Sequence, residues 1–459
     1  MTSTPIRAEV ASRTPLTLEA RGPTGGVLGL LPDLERDALG LLTHCARDYG
    51  DFVRLRLGFT RAVLVSHPEL IDEVLVTRNQ DFRKHVGTRR LGSLLGNGLL
   101  LSEGDFWLRQ RRLMQPAFHR QRIAAMADAM VATTSGMLDD WRVGQTRDVQ
   151  QAMTELTLRI VARTLFGTDV GEDLARIRGS NQVMTEHFRS RLFSLMILLP
   201  DWVPTPGNRR YGRAVRDLDT LVYRIIAERR QSAAEAAPDL LSLLLAARDE
   251  DGLGMSDRQL RDEVLTLLLA GHDTTALALT WAWVLLAQHP ASRMALDTEL
   301  ERVLGGRPPT ASDVPQLRWV EHIIAETLRL YPTAWVLGRE AIRDAQIGGQ
   351  HIARGTSVLI SPWVVHRDPR WFDEPDAFRP ERWADGLMQR LPRFTYFPFG
   401  GGQRVCLGAS FAQLEASLLL ATIAQRFRLE LTDPARPVEP WPVVTLRTRR
   451  GVPMVLAPR

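Results

Sequence analysis

The chain has 459 residues, 44% hydrophobic and 24% charged, which excludes a disordered or collagen-like polypeptide and fits a globular protein with a large core. Its two cysteines, Cys45 and Cys406, are too few and too far apart for a disulfide framework, so a reducing compartment, the cytoplasm, is expected. A net charge of +5 is small for this length, only Lys84 among the 58 basic residues is a lysine, and there is no zinc-finger spacing, RNP-like aromatic motif or basic tail, so the arginine excess reflects codon bias and no nucleic acid partner is expected.

Along the chain, residues 1–30 are expected to be poorly structured and 31–459 to form one domain. The start lacks an apolar h-region, so no secretory signal and no transmembrane anchor are expected. Phe52 to Leu57 alternates, Gly58-Phe59-Thr60 turns and Arg61 to Ser66 returns, the pattern of a β-hairpin. Pro68 then opens a predicted helix to about residue 76. From 107 to 287 the spacing is mostly helical, with breaks at Pro116, 200–208 and 237–238. The apolar run 264–287 is long enough to cross a bilayer, but it carries His272 and Asp273 near its middle. A central Asp costs about 2.5–3.5 kcal/mol on insertion scales, so a buried core helix is the better reading. Further helices are predicted at 291–304, 311–317 and 320–330, short strands over 334–360, proline-rich irregular chain to Cys406, and a helix over 407–427. Val443-Val-Thr-Leu and Val452-Pro-Met-Val-Leu suggest a small C-terminal sheet. The fold class is mainly α with small β-sheets, in a single large domain.

The stretch Phe397-Pro-Phe-Gly-Gly-Gly-Gln-Arg-Val-Cys-Leu-Gly raises a chemical question. Arg404 lies two residues before Cys406 and a helix opens after it; a nearby cation and a helix N-terminus both favour thiolate, the metal-binding form. Glycines allow a tight bend that aims backbone N–H groups at one atom. A buried thiol or a phosphate loop is the bland alternative, but a phosphate loop normally carries a Lys-Ser/Thr pair, which is missing here.

Phe399-x-x-Gly402-x-Arg404-x-Cys406-x-Gly408 resembles, with no departure, the haem-binding loop of the cytochrome P450 family. The resemblance implies a cytochrome P450 fold, haem b as cofactor, Cys406 as axial ligand to the iron, and Phe399, Gly402 and Gly408 around the sulfur. Such a thiolate pushes electron density onto iron and favours O–O cleavage.

Three other stretches match the family in order. Ala270-Gly-His-Asp-Thr-Thr275 resembles its oxygen-activation motif, which implies Asp273 and Thr274 as the catalytic proton-handling pair. Glu326-Thr-Leu-Arg329, with Phe378-Arg-Pro-Glu-Arg382-Trp383, resembles its E-x-x-R and P-E-R-F/W elements. The E-x-x-R spacing alone means little, since Glu186/Arg189, Glu299/Arg302 and Glu340/Arg343 share it. In this context it implies that Glu326, Arg329 and Arg382 are a buried structural triad. Trp107-x-x-x-Arg111 puts an indole and a guanidinium on one helical face, and the resemblance makes them, with Arg339 and Arg404, partners of haem propionates.

The implied reaction is insertion of one atom of O2 into a lipophilic molecule of fatty acid, terpene or steroid class. Too few residues follow Cys406 for a flavin or iron–sulfur domain, so electrons are expected from a separate ferredoxin and ferredoxin reductase. Their docking face is expected near Arg109, Arg112, Arg120 and Arg122. The soluble bacterial type, as a monomer, is the expectation. Pocket candidates are the segments 83–106 and 191–202, Ala270, Thr333 to Val336, Val444 and Thr445. A haem-thiolate isomerase, dehydratase or peroxygenase is the first alternative, which Asp273-Thr274 argues against. A non-catalytic haem gas sensor is the second.

Overall fold

The hairpin forms as its alternation requires. β1 (Phe52–Leu57) and β2 (Thr60–Val65) pair antiparallel from Phe52↔Val65 to Leu57↔Thr60. The computed structural model describes residues 16, 22–192, 201–231, 239–249 and 252–459. Within the N-terminal segment, residues 26–29 turn and bridge to Leu57; apart from Leu16 and Gly22 to Leu30, the expectation for 1–30 lies outside the described residues.

β2 runs parallel to β8 (Ser357–Ile360), which pairs antiparallel with β5 (Leu337–Ala341), and β5 with β3 (Phe82–Lys84), giving the order β1-β2-β8-β5-β3. Side chains alternate across a strand. Val63, Val65, Val358 and Ile360 accordingly enter one apolar cluster, and Ala62, Leu64 and Leu359 enter another that packs on α1 (Leu31–Tyr49). Short pairs complete the β structure: β6 (Ala345–Ile347) with β7 (Gln350–Ile352), β10 (Pro440–Pro442) with β11 (Leu446–Thr448), and β4 (Thr146–Asp148) with β12 (Pro453–Pro458), which also pairs with β9 (Phe427–Leu431).

The larger core is helical. In chain order it uses α2 (Gly104–Met114), α3 (Ala127–Leu138), α4 (Val149–Leu165), α5 (Leu174–Leu192), α6 (Pro206–Gln231), α7 (Asp257–Gln288), α8 (Pro290–Leu304), α9 (Arg318–Leu330) and α10 (Ala409–Ala424). α7 starts on a reciprocal cap, Gln259 N–H to Ser256 Oγ and Ser256 N–H to Gln259 Oε1. Its most apolar window is 67% buried inside the protein, so the membrane-length run is a core helix. Gly271 lets α4 approach closely: a Cβ there would sit 3.2 Å from Val161 Cγ2.

Several boundaries differ from the sequence expectation. The helix at Pro68 ends at Asp72 and widens into a π turn, Glu73–Thr77. Residues 311–317 hold only the short turn Val314–Gln316, because Asp313 accepts from Thr310 and Arg307 and Pro315 supplies no N–H. α6 starts at Pro206, where proline suits a first helical position, so Asn208 lies within the helix. Val443 to Thr445 form the turn of the β10–β11 hairpin, with Val443 N–H to Thr445 O at 3.1 Å, rather than a strand. The break expected at 237–238 lies outside the described residues.

Candidate functional site

The Cys406 loop lies between the sheet and the start of α10. Its backbone turns through Gly402, at φ +65°, where a Cβ would fall 2.0 Å from the Leu75 carbonyl oxygen of the π turn. Only glycine fits there. Gly408 has an ordinary φ of −86°, so its contribution is its amide, which donates to the sulfur. Cys406 N–H donates to Phe399 O at 3.0 Å, closing the loop.

Cys406 keeps exposed surface although protein encloses its other sides. That enclosure raises the thiol pKa, against the Gly408 amide and Arg111. The cation acting on the sulfur is Arg111, which donates to Val405 O at 2.8 Å, whereas the sequence pointed to Arg404. Arg404 instead lies 4.0 Å over the buried Trp107 ring, donates to Ser102 O at 2.7 Å and pairs with Glu103. The two ends of the W-x-x-x-R motif therefore serve different neighbours.

Arg404 is one of three cations gathered near Glu103. Lys84, from β3, is pushed down to about 7 by burial, with Arg339 and Arg404 adding repulsion and Glu103 opposing. Arg339, from β5, is also lowered by burial, and its guanidinium donates to the Gly338 carbonyl at 3.0 Å. Lys84 and Arg339 line a cleft of about 380 Å³ whose rim includes the exposed Phe59. Among the described residues neither has a carboxylate within ion-pair distance. Buried positive charge in such excess is costly without an anionic partner. It suits a group carrying carboxylates, and a haem with two propionates and a thiolate ligand fits this donor set. Lys84 falls within the expected pocket segment 83–106 but was assigned no anion-holding role from the sequence, although being the sole lysine marked it out.

α7 carries the expected proton-handling pair. Asp273 accepts from Arg447 Nη1 at 2.6 Å and from Thr445 Oγ1 at 2.9 Å. Burial alone would raise its pKa, but Arg447, His272 and Thr445 outweigh that and hold it below the usual range. Thr274 Oγ1 donates to Ala270 O at 2.9 Å, which leaves its lone pairs as acceptors. Arg447 had no local signal, because it comes to Asp273 from β11. Glu415, fully buried on α10, has no hydrogen-bond partner in good geometry; burial pushes its carboxyl up to about 8, with Thr275 opposing.

Asp273, Thr274, Ala270, Val444 and Thr445 share a second cavity of about 250 Å³, whose other walls include Leu91, Leu94, Leu95, Leu100, Leu269 and Phe188. Leu91, Leu100, Val443 and Val444 border both cavities, and Val336 lines the first. The segment bearing these leucines is fastened to α7 by Asn97 N–H to Asp262 and Leu99 N–H to Glu263, each 2.8 Å. Thr333 is buried and lines neither cavity; its carbonyl accepts from Leu446 N–H at 2.9 Å. Of the segment 191–202, Arg191 is buried against Asp201 at 3.1 Å and Trp202 is exposed, while 193–200 lies outside the described residues.

Glu326, Arg329 and Arg382 meet around one carboxylate, Glu326 accepting from both guanidiniums, from Arg379 N–H and from Trp383 Nε1 at 2.8–3.0 Å. Of the cations expected to form a docking face, Arg109 is neutralised by Asp249 at 2.6 Å; Arg112, Arg120 and Arg122 each keep exposed surface. Arg120 borders a surface recess that also includes Phe399 and Leu414.

The sequence profile of the Cytochrome P450 family matches residues 21–453. The chain is 40% identical to cyclooctatin synthase of Streptomyces melanosporofaciens over 90% of its length and 89% of that protein. It is 36% identical to cyclooctat-9-en-7-ol 5-monooxygenase of the same organism, over 93% and 92% of the two chains. Identity to pentalenene oxygenase of Streptomyces avermitilis is 35%, over 90% and 91%.

Proposed function

The chain belongs to the cytochrome P450 family and is a P450 monooxygenase, and from that premise we propose that it oxidises a terpenoid in the cytoplasm. The carrying observation is the small cavity in which leucines and Phe188 surround Thr274 and Asp273. Such a wall binds by excluding water from apolar surface and selects for a compact hydrocarbon skeleton. The names of the three relatives supply the class within that range.

In this reading haem b, when bound, supplies dioxygen activation and transfer of one oxygen atom. Cys406 is its thiolate ligand, since metal coordination deprotonates a thiol that the protein alone leaves protonated. Lys84, Arg339 and Arg404 hold the propionates. Arg111, bonded to Val405 O, keeps positive charge beside the sulfur and braces the loop.

Asp273, which Arg447 and Thr445 keep ionised and fixed in place at the cavity wall, would take a proton from solvent and pass it to a group in the cavity. Thr274 Oγ1, its own proton committed to Ala270 O, accepts from a donor in the cavity and orders it. Glu326, Arg329 and Arg382 are structural and take no part in the chemistry. Electrons come from a ferredoxin and its reductase, docking on the side of Arg112, Arg120 and Arg122.

Reconstitution with a ferredoxin, its reductase and NADPH is expected to convert polycyclic sesquiterpenes or diterpenes to products gaining one oxygen atom, labelled when 18O2 is supplied. Turnover of fatty acids or steroids with none of terpenes would refute the substrate class while leaving the monooxygenase intact.

A further inference from the structure

On α5, Asn181, Met184, Thr185 and Phe188 lie on one helical face and line the 250 Å³ cavity. Asn181 therefore brings an amide into a wall that is otherwise largely apolar. Its orientation is dictated by His272 on α7. His272 Nδ1 lies 2.6 Å from the Leu268 carbonyl oxygen, which can only accept, so Nδ1 carries the proton. The fully buried imidazole is held neutral, since burial lowers its pKa against the opposing pull of Asp273. Nε2 is then a lone pair. The Asn181 atom 3.0 Å away must be Nδ2, donating to it. Thr185 occupies the Asn181 backbone carbonyl, at 2.8 Å, and not the side chain. The side-chain oxygen is left over: it has no partner among the described residues and is not among their sealed polar atoms.

We infer that Asn181 is a specificity-determining residue whose Oδ1 accepts a hydrogen bond from the substrate, and that the substrate is a lipophilic alcohol rather than a hydrocarbon or a ketone. The inference rests on the terpenoid reading for the skeleton and adds the polar group it must carry. The locked imidazole gives it a sign. An amide free to flip would serve donors and acceptors alike, whereas one tied through Nδ2 to His272 offers the cavity an acceptor. A substrate hydroxyl satisfies it, a hydrocarbon leaves it unpaired, and a ketone sets two acceptors against each other. The hydroxyl is thereby fixed on the α5 wall, and the skeleton is turned toward Thr274 and Asp273 on the α7 wall.

The test uses the haem-loaded enzyme and three ligands sharing one skeleton: nootkatol, nootkatone and valencene. Dissociation constants are measured by calorimetry and by the Soret shift. Nootkatol is expected to bind about three- to tenfold more tightly than valencene, the span of one hydrogen bond, with nootkatone no tighter than valencene. Asn181→Leu is expected to bring the alcohol-to-hydrocarbon ratio to about one without weakening valencene. The wild-type ordering tests the inference even if that variant fails to fold. The same measurement on androstanol, androstanone and androstane separates the two readings. If only the steroids bind, the terpenoid assignment falls and the order within that series still decides the role of Asn181. A hydrocarbon or ketone binding as tightly as its alcohol, an alcohol preference that survives in Asn181→Leu, or failure of every ligand to bind would overturn the inference.

Discussion

Replacing Glu326 by alanine is expected to destabilise the protein by about 3–5 kcal/mol, the cost of breaking a buried ion pair by removing one partner. Both Glu326 and Arg329 are fully buried. Among the described residues the carboxylate is the one anion paired with Arg329 and Arg382, and it also takes the Trp383 indole N–H and the Arg379 amide. Removing it leaves a guanidinium in the core with carbonyl partners only: His366, Pro375 and Ala377. Those carbonyls belong to the chain that leads into the Cys406 loop, so the damage should reach cofactor retention. Denaturant unfolding followed by near-ultraviolet dichroism, together with the haem-to-protein ratio, checks this. A loss below about 1 kcal/mol, within the range of a surface pair, would show that the cluster is not the brace described.

Asp273→Asn is expected to lower product formation by about 10²-fold or more, the lower end of what a positioned proton-transfer group contributes. Asparagine keeps the shape and can still accept from Thr445 or Arg447, but it no longer exchanges protons or neutralises Arg447. Substrate affinity should hardly change, because the surrounding wall is apolar. Thr274→Ala should act differently, with NADPH consumed at a substantial rate and little of it appearing as product. Parallel assays of NADPH oxidation and product distinguish the two. If both variants kept wild-type coupling, proton handling by this pair would be wrong, and a peroxide-driven or non-oxidative haem-thiolate enzyme would gain ground.

The parts of this architecture legible in the sequence were those carried by short spacing. Alternation in Phe52 to Leu57 marked a strand because consecutive side chains face opposite ways. The Cys406 loop was readable because its glycines, arginine and cysteine act within a few residues of one another. What stayed hidden depends on chain brought together from far apart. Arg447 meets Asp273 across 174 positions, and neither residue has a local pattern that announces the pair. Arg109 looked like an available surface cation until the fold placed Asp249 against it. The cation acting on the sulfur is Arg111 and not Arg404, since two residues of separation along a bent loop do not fix which guanidinium faces it. The amide of Asn181 had no signal at all, because its meaning comes from a histidine on another helix.

The central claim is that Cys406 holds the haem iron through its sulfur, and the absorbance spectrum of the reduced, carbon monoxide-bound protein tests it most directly. A strongly red-shifted Soret band is predicted for the wild type, and its loss in a folded Cys406→Ser variant. A band at the position of a histidine-ligated globin in intact wild-type protein, or a red-shifted band that survives the serine substitution, would contradict it.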